Sequence, residues 1–352
     1  MANVVIDPVI VMTPPDEADE ATVKTWLDNL ATWLKEALTA PFTWLYCERA
    51  LELLEAHGQF PYFAHLKLLK QKYNLDINIS QIARDVNTIF RDDDELSLEK
   101  HLQHVQCEVE PEIDSITVEP EQFITRLPEY IHHDMHMLLA NCCAYKYSGD
   151  SFAQKLHIAT VVLQDGSKEI SVSATILDAL PDFARPIDNR ITQSFPLLIT
   201  PDDLYPLVDV ISLWAEGERG ISYAIEQEYR KRWSNVAVER FDFRLGVHFI
   251  RSVNERGLDT NETVLRNIIR AASDVIADKV RDVPGYNLHP FRQNKAADSP
   301  QFIRDGDQAR AWRLMIQKQG AGWRLQYWQI PTSEGYMIEF ANVGKESERY
   351  IR

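Results

Sequence analysis

Residues 311–343 read AWRLMIQKQGAGWRLQYWQIPTSEGYMIEFANV. Three β-prone runs stand out in this stretch: AWRLMIQK (311–318), GWRLQYWQI (322–330) and GYMIEFANV (335–343). Each is rich in aromatic and branched residues, and loops of three and four residues (319–321 and 331–334) separate them. Short loops join neighbours in antiparallel sheets, whereas parallel neighbours need long crossovers, so the pattern predicts an antiparallel meander.

Working back from the meander, Val264, Leu265, Ile268, Ile269, Ala272, Val275 and Ile276 recur at helical spacing. They predict a helix over about 261–280 with one apolar face. Before it, VERFDFRL (238–245) alternates Phe241, Phe243 and Leu245 with Arg240, Asp242 and Arg244, the mark of a half-buried strand. Residues 219–234 read as a charged helix. FPLLITPDDLYPLVDVISLWAEG (195–217) reads as an extended run followed by a short helix. LHIATVVL (156–163) and KEISVSATI (168–176) flank Gln164-Asp165-Gly166-Ser167, and Asp-Gly is a strong tight-turn signal, so a β-hairpin is expected there. A helical pattern covers 123–143.

The N-terminal region reads as helices. Trp26, Leu27, Leu30, Trp33, Leu34, Ala37 and Leu38 share a face before Pro41. A second helix is expected over 43–57, ending at Gly58, and a third after Pro61 with Phe63, Leu66, Leu69 and Tyr73. A fourth begins with Ser80 as N-cap. EVEPEIDSITVEPE (108–121) alternates acids with prolines, like a linker or an edge strand. The expected fold class is α+β: a helical N-terminal domain (1–107), a linker (108–120), an α+β middle domain with the hairpin (121–258), and a small antiparallel sheet plus helix (259–352).

The 352-residue chain is 45% hydrophobic and 26% charged, a globular composition with length for more than one domain. It contains no apolar run long enough to span a bilayer, and MANVVIDPVIVMTPPDEADE lacks the basic start of a secretory signal. A soluble, cytoplasmic protein of bacterial type is expected. The net charge of −16 is unevenly placed: −15 over residues 1–150, −4 over 151–280 and +3 over 281–352. Such a field gives no long-range attraction for DNA and confines any nucleic-acid contact to the C-terminal segment.

Several motifs bear on chemistry. His132 and His136 stand four apart, which zinc proteases use on one helix face, but His133 replaces the expected Glu and no third ligand is evident nearby. Asp165, Lys168 and Glu169 could serve a dispersed metal nuclease, yet Asp-Gly-Ser is also what a turn requires. Asp92, Asp93 and Asp94 lack the glycine-containing spacing of a calcium loop and read as a solvated turn. Of four cysteines, Cys47, Cys107, Cys142 and Cys143, the adjacent pair suits helix packing better than a disulfide. There is no GxSxG, Walker-type or GxGxxG sequence, and no cofactor is expected.

The C-terminal strands interleave aromatics with basic residues: Trp312, Arg313, Trp323, Arg324, Tyr327 and Trp328, then Lys345, Arg349 and Tyr350. Guanidinium groups grip phosphate bidentately and aromatics stack on bases, a mixture suited to RNA; the same tryptophans also suit packing of a sheet against a helix. GWRLQYWQI, a turn, then MIEFANVGKESERY resembles the closing strands of the RelE/ParE group of bacterial toxins, over 311–350 and at most 261–352. Ribonuclease members of that group help a 2′-hydroxyl attack the adjacent phosphate, with basic side chains neutralising the phosphate and a C-terminal aromatic assisting. The resemblance therefore implies Arg313, Arg324, Lys345, Arg349 and Tyr350 as catalytic residues. Met315 stands where another basic residue would be expected, and Glu346 and Glu348 interrupt the basic stretch.

Three readings stay open. One is a stress or phage-defence effector whose C-terminal module contacts RNA or the translation machinery, its helical N-terminal region recruiting proteins. Another is a non-catalytic protein-interaction component of a defence or regulatory complex. The third is a divergent metal-dependent nuclease.

Overall fold

The computed structural model describes residues 2–90, 96–102, 106–109, 115–180, 189–233, 240–294, 299–317, 322–348, 350 and 351. The chain forms two compact units, Met1–Leu207 and Val208–Arg352, and both combine helices with a mixed sheet. The α+β class holds. The charge asymmetry is sharper on this division than on the sequence segments: 15 Lys/Arg against 33 Asp/Glu in the first unit, 22 against 20 in the second.

In the first unit, β1 (Asn3–Ile6) leads through α1 (Pro8–Val11) and α2 (Glu20–Thr39) to β2 (Thr43–Tyr46), which pairs with β1 in parallel. Asp19 caps α2 by accepting from the Thr22 amide at 2.8 Å, and Val23, Trp26, Leu27, Leu30, Trp33 and Leu34 form its buried face. Next come α3 (Glu48–Ala56), α4 (Phe63–Tyr73), α5 (Ile79–Phe90), α6 (Leu98–Leu102), β3 (Gln106–Val109), β4 (Thr117–Glu119), α7 (Gln122–Thr125) and α8 (Glu129–Tyr147). Then β5 (Leu156–Ala159), β6 (Glu169–Leu180) and β7 (Arg190–Leu198) complete a sheet of order β2-β1-β5-β7-β6-β3, with β4 also on β6.

Three expectations change here. Residues 43–57 are a strand and then a helix, because Thr43–Tyr46 is aromatic and buried from Trp44 onward and hydrogen-bonds to β1. The cap of α5 is Asn78, whose side chain accepts from the Gln81 amide, and Ser80 lies inside the helix. The Asp165-Gly166 turn forms, with Gly166 at φ +73° and Asp165 accepting from the Ser167 amide and hydroxyl, but it does not join paired strands. Instead, β5 runs parallel to β1 and β7, and the antiparallel pair is β6 with β7. Leu156, Ile158 and Ala159 are buried, as an inner parallel strand requires. Because β1 and β2 share a sheet with β5, the boundaries expected at 107 and 120 are not where the chain divides.

The second unit contains α9 (Val210–Ala215), α10 (Glu218–Trp233), β8 (Asp242–Leu245), α11 (Phe249–Asn254), α12 (Glu262–Ile276), β9 (His289–Pro290), β10 (Arg310–Met315), β11 (Trp323–Thr332) and β12 (Gly335–Lys345). The sheet order is β8-β12-β11-β10-β9. The meander β10-β11-β12 is antiparallel as read from sequence, and β8 adds to β12 in parallel. That pairing places 242–245 with the C-terminal strands, so the expected boundary at 258 is replaced by the division after Leu207. Asn261 caps α12 by accepting from the Val264 amide, and Val264, Leu265, Ile268, Ile269, Ala272, Val275 and Ile276 are buried. No helix among the described residues is long and apolar enough to cross a membrane.

Candidate anion site on the C-terminal sheet

Strand register decides which of the sequence-derived residues can meet. Residues directly opposite in an antiparallel pair share a face, and successive residues along a strand alternate. Arg313 is opposite Gln326, Met315 opposite Arg324, Gln326 opposite Asn342, and Arg324 opposite Gly344. One face therefore carries Arg313, Met315, Arg324, Gln326, Asn342 and Gly344. Lys345 is opposite Trp323 and falls on the other face, with its ammonium 5.8 Å from the Trp323 ring centre. That second face holds the buried Leu314, Leu325, Phe340 and Val343, and Phe249 of α11 packs on Phe340.

Parity thus groups Arg313 with Arg324 and separates both from Lys345. Arg313 is half-buried, with its guanidinium 5.8 Å from the Phe291 ring centre. Arg324 is 6% exposed and donates through Nη2 to Glu346, while its buried Nε has no hydrogen-bond partner. Asn342 donates to Gln326 at 2.9 Å, and both side chains are buried. Tyr350 is exposed, its hydroxyl 3.4 Å from Nη2 of Arg256. Arg256 in turn donates to Glu348 at 2.6 Å. Arg349 lies outside the described residues. Trp323, Tyr327 and Trp328 do not form a stacking platform: all three are buried in the sheet, and burial pushes the Tyr327 phenol upward.

Further along the polar face, Glu339 accepts from Arg244 Nε at 2.7 Å and from Arg304 Nη1 at 2.7 Å. Burial opposes its charge, yet the hydrogen bonds from Arg304 and Arg244 outweigh that and hold the carboxyl below its ordinary value. Arg304 also grips Asp307 and lies 4.8 Å from the Trp328 ring centre. Sequence reading missed Arg256, Gln326, Asn342, Glu339, Arg244 and Arg304 as parts of one surface. The available signal was Gln326 and Asn342, amide side chains inside otherwise apolar strands.

The other sequence candidates resolve in the first unit. His132 and His136 each use one ring nitrogen on a carbonyl, Nε2 to Leu127 at 2.7 Å and Nδ1 to His132 at 2.8 Å. A carbonyl only accepts, so those nitrogens carry protons. Both rings line a pocket of about 350 Å³ with Thr117, Glu119, Glu121 and Thr125, and burial lowers the His136 pKa. Among the described residues, no group of three or more His, Cys, Asp or Glu could hold a metal. Asp165 is engaged by Ser167, whose hydrogen bonds lower its pKa. Asp92 to Asp94 lie outside the described residues. Cys142 and Cys143 are free and buried near the end of α8, and burial pushes the Cys143 thiol up to about 12.

One cluster was absent from the sequence reading. In sheets of this kind, ligands usually bind beyond the carboxyl ends of the parallel strands. There Asp7 follows β1 and Thr160 follows β5. Thr160 Oγ1 donates to Asp7 at 2.6 Å, Arg126 donates to both, and the Val9 amide donates to the other Asp7 oxygen at 3.1 Å. The adjoining cavity is about 20 Å³, water-sized, so these groups face one another. Compared with protein-family models, curated proteins and solved structures, the chain matches none.

Proposed function

We propose that the Val208–Arg352 unit contacts RNA through a phosphate seated at Arg324, the chain being a cytoplasmic bacterial stress or phage-defence effector. The observation that carries this reading is the buried Arg324 guanidinium, whose Nε has no hydrogen-bond partner. A guanidinium presents a fork suited to two oxygens of one phosphate; here Nη2 meets the Glu346 carboxylate, and Nε, itself shielded from solvent, has no partner. Arg313 on the same face adds positive charge, and the unit's 22 Lys/Arg against 20 Asp/Glu does not repel a polyanion as the first unit would. The RelE/ParE resemblance points the same way.

Contact is better supported than cleavage, because Lys345 lies on the opposite face from Arg313 and Arg324. The test is binding of a single-stranded RNA oligonucleotide to the full chain and to Arg313→Ala and Arg324→Ala variants. Loss of affinity in both variants is expected; equal affinity rejects the reading.

A protein-interaction role is the second reading. Burial of Trp323, Tyr327 and Trp328 favours it, since those three rings then offer bases no face to stack on. An acidic peptide binding through Arg324 where RNA does not would select it.

A further inference from the structure

Beyond β12, Glu346, Glu348 and Ile351 each meet residues of the C-terminal sheet or its flank. Ile351 packs against the cluster of Phe291, Ala309, Ala311, Trp328, Ile330 and Ala341. Between strand and anchor, Glu346 reaches Arg324 and Glu348 reaches Arg256. A Cβ on Gly344 would lie 2.9 Å from a Glu348 carboxylate oxygen and 3.1 Å from the Gln326 amide nitrogen. The bare glycine is what lets the Glu348 carboxylate sit against the sheet.

The two partners in the Arg324 pair differ in burial: the guanidinium side chain is 7% exposed and the Glu346 side chain 66%. Withdrawing Glu346 returns a carboxylate to water at small cost, whereas Arg324 remains buried and requires an anion. A site of this form exchanges its acceptor easily.

We propose that Glu346 and Glu348 are built-in occupants of the anion site, competing from within the chain against phosphate groups of RNA. This rests on the RNA-contact reading above and adds its regulation. The tether makes the competition intramolecular, and short linkers give effective concentrations in the millimolar range. Ligand must displace the tail as well as bind. The same two glutamates that break the basic pattern of the C-terminal stretch thus acquire a role.

The test measures affinity of the full chain for a fluorescent single-stranded RNA at fixed, moderate salt. Proteins are wild type, Glu346→Gln, Glu346→Gln/Glu348→Gln, the latter with Arg324→Gln, and Glu334→Gln as a control for charge alone. Glu334 is exposed in the turn before β12. Glu346 is exposed as well, so Glu346→Gln does not endanger folding if Glu348→Gln does. The expected result is a stepwise gain, about tenfold or more in the double variant, absent in Glu334→Gln and abolished by Arg324→Gln. Wild-type binding through Arg324 that changes less than twofold in the Glu346 and Glu348 variants overturns the competition and leaves the RNA reading standing. A gain that survives Arg324→Gln, or equals that of Glu334→Gln, overturns it as a general charge effect. No binding by any variant rejects both.

Discussion

Asp7 and Arg126, 119 residues apart, form an ion pair in which the Asp7 side chain is fully buried. Arg126 sits between α7 and α8, so the pair ties the start of α8 to the carboxyl end of β1. Its remaining donors reach the Phe123 carbonyl at 3.2 Å and the Val161 carbonyl at 3.4 Å.

Removing one partner of a buried pair leaves an uncompensated charge and costs about 3–5 kcal/mol, whereas replacing both with apolar groups is often tolerated. Arg126→Met is expected to destabilise the first unit by an amount in that range. Asp7→Leu/Arg126→Met is expected to lose less than the single variant. Urea denaturation of the three proteins measures both, and a double variant worse than the single one contradicts the argument.

Glu339 gives the second unit a pH dependence of definite sign. Its folded-state carboxyl is held below the ordinary value of 4.5 by Arg304 and Arg244 against the opposing effect of burial. A depressed acid stabilises the fold at neutral pH and down to its unfolded-state value, and that contribution is lost as pH falls through the folded-state value. Glu339→Gln is expected to cost about 1–3 kcal/mol at pH 7, from hydrogen bonds to charged groups. The gap from wild type should shrink below pH 4. Denaturant titrations at pH 7 and pH 3.5 measure it, and a gap that widens in acid refutes the assignment.

His136 gives the first unit a dependence in the same direction by a different route. Burial lowers its pKa below 6.5, so the unfolded chain binds the proton more readily than the folded one. Stability is therefore lost as pH falls from that unfolded-state value toward the folded-state one, and is fully present above it. His136→Gln should flatten this part of the profile between pH 7 and pH 5. An unchanged slope would show that the ring titrates alike in both states.

The legibility of the sequence followed the range of the interactions. α2, α12 and the β10-β11-β12 meander were readable because their apolar spacing, caps and turns are local. The strands β1 and β2 were not, because four-residue parallel strands take their meaning from β5, over a hundred residues further on. The Asp165-Gly166 turn was real but its strands pair elsewhere, since a turn fixes chain direction and pairing is settled by burial. At the candidate site, Arg313 and Arg324 were named from the interleaving of basic and aromatic residues and from the RelE/ParE resemblance, yet parity set Lys345 apart. The buried amides Gln326 and Asn342 became meaningful only once the register was known.

Gly220 supplies a test in which local propensity and packing demand opposite signs. It lies in the first turn of α10, where Ala would ordinarily be favoured over Gly by about 1 kcal/mol. A Cβ built there, however, would stand 2.1 Å from the Leu213 carbonyl oxygen, 2.9 Å from the Leu213 carbonyl carbon and 2.8 Å from Glu216 Cβ. Two of those atoms belong to the backbone of α9, which cannot swing aside as a side-chain tip can. Gly220→Ala is therefore expected to force α9 and α10 apart and to cost about 1–3 kcal/mol or more, the range for overpacking a close contact. Thermal denaturation of the full chain measures it, with Gly257→Ala as a comparison. Gly257 has open space around its missing Cβ but φ +61°, so its cost is backbone strain alone. If Gly220→Ala raises the melting temperature, helix propensity governs this position and the close approach of α9 to α10 is not what stabilises the unit.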